Sequence, residues 1–157
     1  MKVIGYEPID MINGPGTRVT VFLSGCAHRC KGCYNAASWN PKNGTEWSTE
    51  IEDKILADLT STLIPKQGLS LSGGDPLFPP NNEAVLAFLQ RVRKEAPDKD
   101  IWMWTGYRVE DLTEAQRAIV SLVDTVIDGK FELELKDPSL LWRGSSNQRI
   151  IATDTLV

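Results

Sequence analysis

Three cysteines, Cys26, Cys30 and Cys33, are the only ones in the chain, and all fall within Ser24-Gly25-Cys26-Ala27-His28-Arg29-Cys30-Lys31-Gly32-Cys33-Tyr34-Asn35. Their spacing is C-x3-C-x2-C. An odd, local set of thiols points to metal ligation more than to disulfides. Thiolates this close can wrap one small inorganic core in a single loop. Iron–sulfur clusters are held by Cys thiolates, usually four. Three leave one iron of a 4Fe–4S cluster without a protein thiolate, and an open coordination position is where a substrate binds, as at catalytic zinc. Two other assignments stay open on spacing alone. His28, the only histidine, completes a Cys3His set for zinc with tight gaps, or the thiols are incidental reduced cysteines. Without a ligand role, His28 is expected to sit exposed on the loop, where it can tune a cluster by hydrogen bonding.

Four further segments carry unusual residues: Ser72-Gly73-Gly74-Asp75-Pro76, Thr105-Gly106-Tyr107, Asp128-Gly129-Lys130, and the polar stretch Arg143 to Arg149. Gly73 and Gly74 let the backbone approach a ligand with no Cβ in the way. The plain alternative is a strand-to-helix turn stopped by Pro76. Asp128-Gly129 fits two roles equally: an active-site loop, or a tight hairpin turn between Val126-Ile127 and Phe131-Glu132-Leu133. Trp102 and Trp104 share one strand face, which suits a core.

The elements between these segments alternate. Thr17 to Leu23 reads as a buried strand. A helix starts near Thr49 with the capping box Thr49-x-x-Glu52. Its apolar face is Ile51, Ile55, Leu59 and Leu63, and Pro65 ends it. Gly68 to Leu71 is a strand. Asn82 to Lys94 is a helix with Val85, Phe88, Leu89 and Val92 inward. Asp100 to Trp104 is a strand, Thr113-x-x-Gln116 caps a helix reaching Leu122, and Val123 to Ile127 is a strand. This alternation predicts βαβ units and a parallel sheet. The cysteine segment and the Gly-Gly-Asp-Pro, Thr-Gly-Tyr and Asp-Gly-Lys segments each follow a strand. In parallel sheets, sites form beyond the carboxyl ends of the strands. The four loops are therefore expected to share one rim and build one site.

The 157 residues suit one domain, 1–157, with residues from about 152 expected to be a loose tail. A complete eight-fold β/α barrel, which takes about 250 residues, is excluded by length. Hydrophobic residues at 41% and charged residues at 24% are ordinary for a soluble globular chain. Seventeen Lys+Arg against 21 Asp+Glu give a net charge of −4, which supports neither nucleic acid nor a membrane surface as a partner. The stretch from Met1 to Gly5 has no apolar secretory core, and the longest strongly apolar run, Val19 to Leu23, is too short for a membrane span. A cytoplasmic location is expected.

C-x3-C-x2-C after the first strand of an α/β fold resembles the signature of radical S-adenosylmethionine enzymes. Six segments narrow the resemblance: Asn13 to Arg18, Gly32-Cys33-Tyr34-Asn35, Leu71 to Leu77, Trp102 to Tyr107, Asp128-Gly129-Lys130, and Trp142 to Gln148. Together they are similar to the activating proteins of anaerobic ribonucleoside-triphosphate reductase. The resemblance implies an open, partial (β/α) barrel with a mostly parallel sheet and outer helices. It implies that Cys26, Cys30 and Cys33 ligate a 4Fe–4S cluster, whose open iron is chelated by S-adenosylmethionine. Gly73, Gly74 and, less firmly, Asp75 would meet the methionine end of that cofactor. Gly32, Cys33 and Tyr34 would meet the adenine end, with Tyr34 either stacking on a ring or packing in the core. No side chain beyond the cluster ligands is implied to be catalytic. The implied reaction is reductive cleavage of S-adenosylmethionine to generate a glycyl radical on the reductase large subunit, with reduced flavodoxin or a similar protein as electron donor.

Overall fold

The computed structural model describes residues 1–156. Its strands are β1 (Lys2–Asp10), β2 (Arg18–Leu23), β3 (Thr45–Glu46), β4 (Gly68–Gly73), β5 (Asp100–Trp104), β6 (Thr125–Asp128) and β7 (Arg149–Ala152). Its α-helices among the described residues are α1 (Thr49–Thr60), α2 (Asn82–Glu95) and α3 (Glu114–Val120). The strands form one open sheet in the order β3-β1-β2-β4-β5-β6-β7. The inner four, β2, β4, β5 and β6, run parallel. Antiparallel strands flank them: β1 and β3 on one side, β7 on the other. The α/β class with a largely parallel, unclosed sheet is as the sequence predicts. β1, β3 and β7 are not among the predicted strands.

Because β2, β4, β5 and β6 follow one another across the sheet, right-handed crossovers place α1, α2 and α3 on the same face. Strand residues alternate accordingly. Val19, Val21, Leu23, Leu69, Leu71, Ile101, Met103 and Val126 are buried in one core with Leu59, Phe88, Leu89, Val92 and Ile119 of the helices. Each such side chain contributes roughly 1.5–3 kcal/mol by leaving water.

The other face carries Arg18, Thr20, Ser70, Ser72, Trp102 and Trp104. Arg18 is fully buried there. Its Nε donates to Ser70 Oγ at 2.7 Å, and its Nη atoms donate to Pro15 O (3.1 Å), Leu69 O (3.0 Å) and Asp100 Oδ1 (2.5 Å). A buried guanidinium needs such complete pairing. The Asn13 to Arg18 stretch is thus a clamp at the amino ends of β2, β4 and β5.

The helix ends show which local signals held. Asn82–Glu95 matches its prediction, with Val85, Phe88, Leu89 and Val92 buried. The cap of α1 lies one residue earlier than predicted: Ser48 accepts from Ile51 N at 3.3 Å, while Glu52 is taken by Trp47 Nε1 at 2.7 Å. This helix stops at Thr60, and Leu63 is 92% exposed. At 3.6 residues per turn, Leu63 would sit about 120° around from Ile51, off the apolar stripe. Thr113 and Gln116 form the predicted capping box on α3, and Gln116 Nε2 also donates to Leu77 O at 2.9 Å. Thr113→Ala is expected to cost about 1 kcal/mol, a fall of roughly 2–4 °C in Tm. Thermal melts should show it, with Thr113→Ser near wild type.

The segment after Ile151, expected to be loose, continues as β7 to Ala152 and a 3-10 turn at Thr153–Leu156. Thr153 N donates to Asp124 O at 2.9 Å, and its hydroxyl donates to Val123 O. Val157 lies outside the described residues. No helix among the described residues is long and apolar enough to cross a membrane.

Candidate functional site

Beyond the carboxyl ends of β2, β4, β5 and β6 lies a cleft of about 310 Å³. That is at the small end of the size usual for ligand sites, roughly 300–1,000 Å³. Cys26, Cys30 and Cys33 all line it, with His28, Gly32 and Tyr34 of the same loop. Ser72, Gly73 and Gly74 contribute from β4 and its end, Trp104, Thr105 and Gly106 from β5, and Gly129 from the end of β6. Arg143, Gly144 and Gln148 complete it from the chain before β7. Five of the six segments quoted for the resemblance therefore converge on one cleft. Asn13 to Arg18 does not reach it. A larger cavity of about 790 Å³, lined by Leu112, Arg117, Val120, Asp124 and Leu156 among others, contains none of the cysteines.

The cysteine loop is short of regular structure because its backbone bonds go elsewhere. Gly25 N donates to Ser38 O at 2.7 Å and Cys26 N to Trp39 O at 3.2 Å. Ser38 and Trp39 belong to a 3-10 turn, Ala36–Trp39. The three thiols are half-buried and unbridged. Loss of water pushes the Cys26 thiol up, and Asp75 and Cys30 add repulsion, against the backbone N–H groups of His28 and Arg29, which lower it. Burial likewise pushes Cys30 up, with Cys33 adding to it. Thiolates here cost free energy unless a cation compensates, and a coordinating metal supplies that compensation.

Among the described residues, no three His, Cys, Asp or Glu side chains are close enough together to hold a single metal ion. His28 is not free on the loop, as the sequence led us to expect. Its side chain is 7% exposed, and its Nε2 lies 2.6 Å from Asp75 Oδ2. That nitrogen is committed and does not complete a Cys3His set.

Asp75 is 1% exposed and does not line the cleft. It sits behind the glycine-rich turn and is occupied by protein donors. Gly73 and Gly74 do line the cleft, but protein backbone accounts for both glycines. Gly73 has φ +110, and a Cβ on it would lie 2.4 Å from Leu23 N and O. A Cβ on Gly74 would lie 2.5 Å from Gly25 O and 2.8 Å from Ser38 O. Close packing of three loops therefore requires glycine at both positions independently of any ligand.

Tyr34 is 83% exposed, so it is not a core residue. Desolvation pushes its hydroxyl up, and the nearby Ser72 hydroxyl acts the other way.

The Asp-Gly segment is no tight hairpin. Asp128 is buried and bound to Arg149, Oδ2 to Nη2 at 2.6 Å, and its β7 partner is Arg149 itself. Between them, residues 129–148 form a long loop carrying a 3-10 turn, Leu133–Leu135, and an isolated antiparallel bridge between Lys136 and Ser145. Loops longer than about 12–15 residues are uncommon without a role. This one supplies Phe131, Lys136, Asp137 and Pro138 to the cleft, none of them singled out from sequence. Arg143 Nη1 donates to Gln148 O at 2.9 Å, while its buried Nε has no partner. Trp104 Nε1 donates to Trp142 O at 2.7 Å, tying the loop to β5.

The family described as "4Fe-4S single cluster domain" matches residues 12–151, a range that includes all three cysteines. The chain is similar to an anaerobic ribonucleoside-triphosphate reductase-activating protein of Vibrio cholerae, 56% identical over 145 residues (92% of this chain, 94% of the relative). The like-named protein of Escherichia coli K12 is 54% identical over 143 residues (91% and 93%). That of Enterobacteria phage T4 is 44% identical over 143 residues (91% and 88%). With identity of this order along nearly the whole of each partner, and five motif segments folded around one cysteine-lined cleft, the chain belongs to the family of anaerobic ribonucleoside-triphosphate reductase-activating proteins.

Proposed function

We propose that this chain activates anaerobic ribonucleoside-triphosphate reductase by generating a glycyl radical on its large subunit, as a radical S-adenosylmethionine enzyme with an open, partial (β/α) barrel. Cys26, Cys30 and Cys33 would hold a 4Fe–4S cluster. Bound and reduced there, such a cluster would supply the electron for reductive cleavage of S-adenosylmethionine, the chemistry that would lead to hydrogen removal from the reductase glycine. Reduced flavodoxin or a similar protein would be the donor, in the cytoplasm, with neither nucleic acid nor membrane as partner.

The observation that carries this function is the convergence of all three thiols on one cleft with the strand-end loops of β4, β5 and β6. Pre-placed groups there would do the binding. Gly73 and Gly74, which line the cleft, would lie at the amino-acid end of the cofactor. Gly32, Cys33 and the exposed Tyr34 ring, which also line the cleft, would meet the adenine end. Lys136 and Arg143 put positive charge in the cleft, beside the carboxylate of Asp137. The protein's share of the chemistry is position and electrostatics.

Electron paramagnetic resonance on anaerobically reconstituted, dithionite-reduced protein tests this function. A reduced-cluster signal that changes shape on adding S-adenosylmethionine is the expected result. Protein that binds one zinc and gives no cluster signal would overturn it.

A further inference from the structure

We propose that Asp75 and His28 form a latch that positions the cysteine loop over the glycine-rich turn, so that Asp75 acts through His28 and does not touch the cofactor. The proposal rests on the cluster assignment above.

An ionised carboxylate offers about four lone-pair sites, and protein donors take all four on Asp75. Oδ1 accepts from Leu77 N at 2.9 Å and Thr105 Oγ1 at 2.8 Å. Oδ2 accepts from Gly106 N at 2.9 Å and meets His28 Nε2 at 2.6 Å. Nothing is left for a ligand, and the residue is 1% exposed. A carboxylate only accepts, so His28 Nε2 carries the proton in this pair.

His28 lies midway between Cys26 and Cys30, so the contact pins the loop where it must be shaped for two ligands. Its ring stands edge-on to Tyr107, with ring centres 4.5 Å apart at 68°. The ring also fills the place of a side chain at Gly106, where a Cβ would lie 2.4 Å from His28 Cδ2. The next residue, Arg29, has φ 52, a left-handed conformation unfavourable for a side chain bearing a Cβ. Such a turn persists when its surroundings over-determine it, and the latch does so here. The latch thereby fixes the backbone between two of the three thiols, and outer-shell contacts of this kind tune a metal site.

Three variants separate a latch from a cofactor contact and from a merely structural role. His28→Phe keeps the ring and removes the nitrogen. His28→Gln keeps a donor for Asp75. Asp75→Asn removes the charge but keeps one acceptor. Each is reconstituted anaerobically, and iron release to a chelator is timed without S-adenosylmethionine, alongside the reduced-cluster spectrum and a melt of the cluster-free protein. The latch predicts about 10-fold faster release for His28→Phe, the scale typical of lost outer-shell partners. It also predicts a broadened spectrum for that variant, and a melt of the cluster-free protein lowered by roughly 2–12 °C because buried Asp75 loses a donor, a loss His28→Gln should largely restore. Asp75→Asn should also release iron faster, and His28→Gln should lie nearer wild type. Wild-type release and spectrum in His28→Phe would overturn it, as would an Asp75→Asn protein altered only in S-adenosylmethionine affinity. If the wild type itself takes up no cluster, the parent assignment fails and the latch falls with it.

Discussion

Cys26→Ser, Cys30→Ser and Cys33→Ser are each expected to purify folded, without the iron–sulfur chromophore, and to lose reductase activation by at least about 100-fold, the upper scale for disrupting a metal site. Folding survives because none of the three belongs to the core, which is built from Val19, Leu71, Phe88, Met103 and their neighbours between the sheet and its helices. The thiols are half-buried, unpaired and carried on a loop whose anchors are backbone bonds at Gly25 and Cys26. Serine fits the space and keeps those anchors. Activity does not survive, because a cluster that already has three protein ligands has none to spare. Iron per chain, far-UV circular dichroism and an activation assay with the reductase separate the two effects. Loss of fold in all three variants would point to a structural metal, since small structural sites contribute folding free energy outright.

What could be read from the sequence was mostly local or periodic. The central strands and α2 were legible because β-branched runs and 3.6-residue spacing report burial directly. The Thr113 cap was legible because both halves of the box lie within four residues. β1 escaped because Lys2 to Asp10 alternates poorly: it lies at the margin, with most of its residues half-buried. β7 escaped because Ile150 and Ala152 face solvent on an edge strand. The convergence of the loops followed from topology and was anticipated. The partners within the site were not. No spacing rule links His28 to Asp75 across 47 positions, and a lone histidine beside cysteines reads as a ligand or a surface residue. The loop 129–148 was hidden by the strength of its own opening signal, since Asp-Gly between apolar residues mimics a hairpin.

Gly74→Ala is expected to destabilise the fold by about 3 kcal/mol, at the upper end for overpacking, with a fall in Tm of roughly 6–12 °C. The new Cβ would press on Gly25 O and Ser38 O, at 2.5 and 2.8 Å. Neither oxygen can retreat. Gly25 O accepts from Asp75 N at 2.8 Å, Ser38 O accepts from Gly25 N at 2.7 Å, and Gly74 N itself donates to Leu23 O at 2.7 Å. The damage therefore spreads from the glycine-rich turn to the cysteine loop, and cluster retention should fall with Tm. Gly73→Ala adds left-handed strain to a Cβ placed 2.4 Å from Leu23 N and O, and should be as severe. If these glycines existed only to admit a ligand, both variants would melt like wild type and lose S-adenosylmethionine binding alone. Gly129 is the contrasting position. Its φ is +101, but the nearest atom to an added Cβ is 3.7 Å away, and it too lines the cleft. Gly129→Ala should cost only about 1 kcal/mol of backbone strain while its methyl group occupies open cleft. Among the cleft glycines, that makes Gly129 the one at which added bulk is expected to weaken cofactor affinity more than stability, and paired melts and binding titrations on Gly74→Ala and Gly129→Ala decide between the two roles.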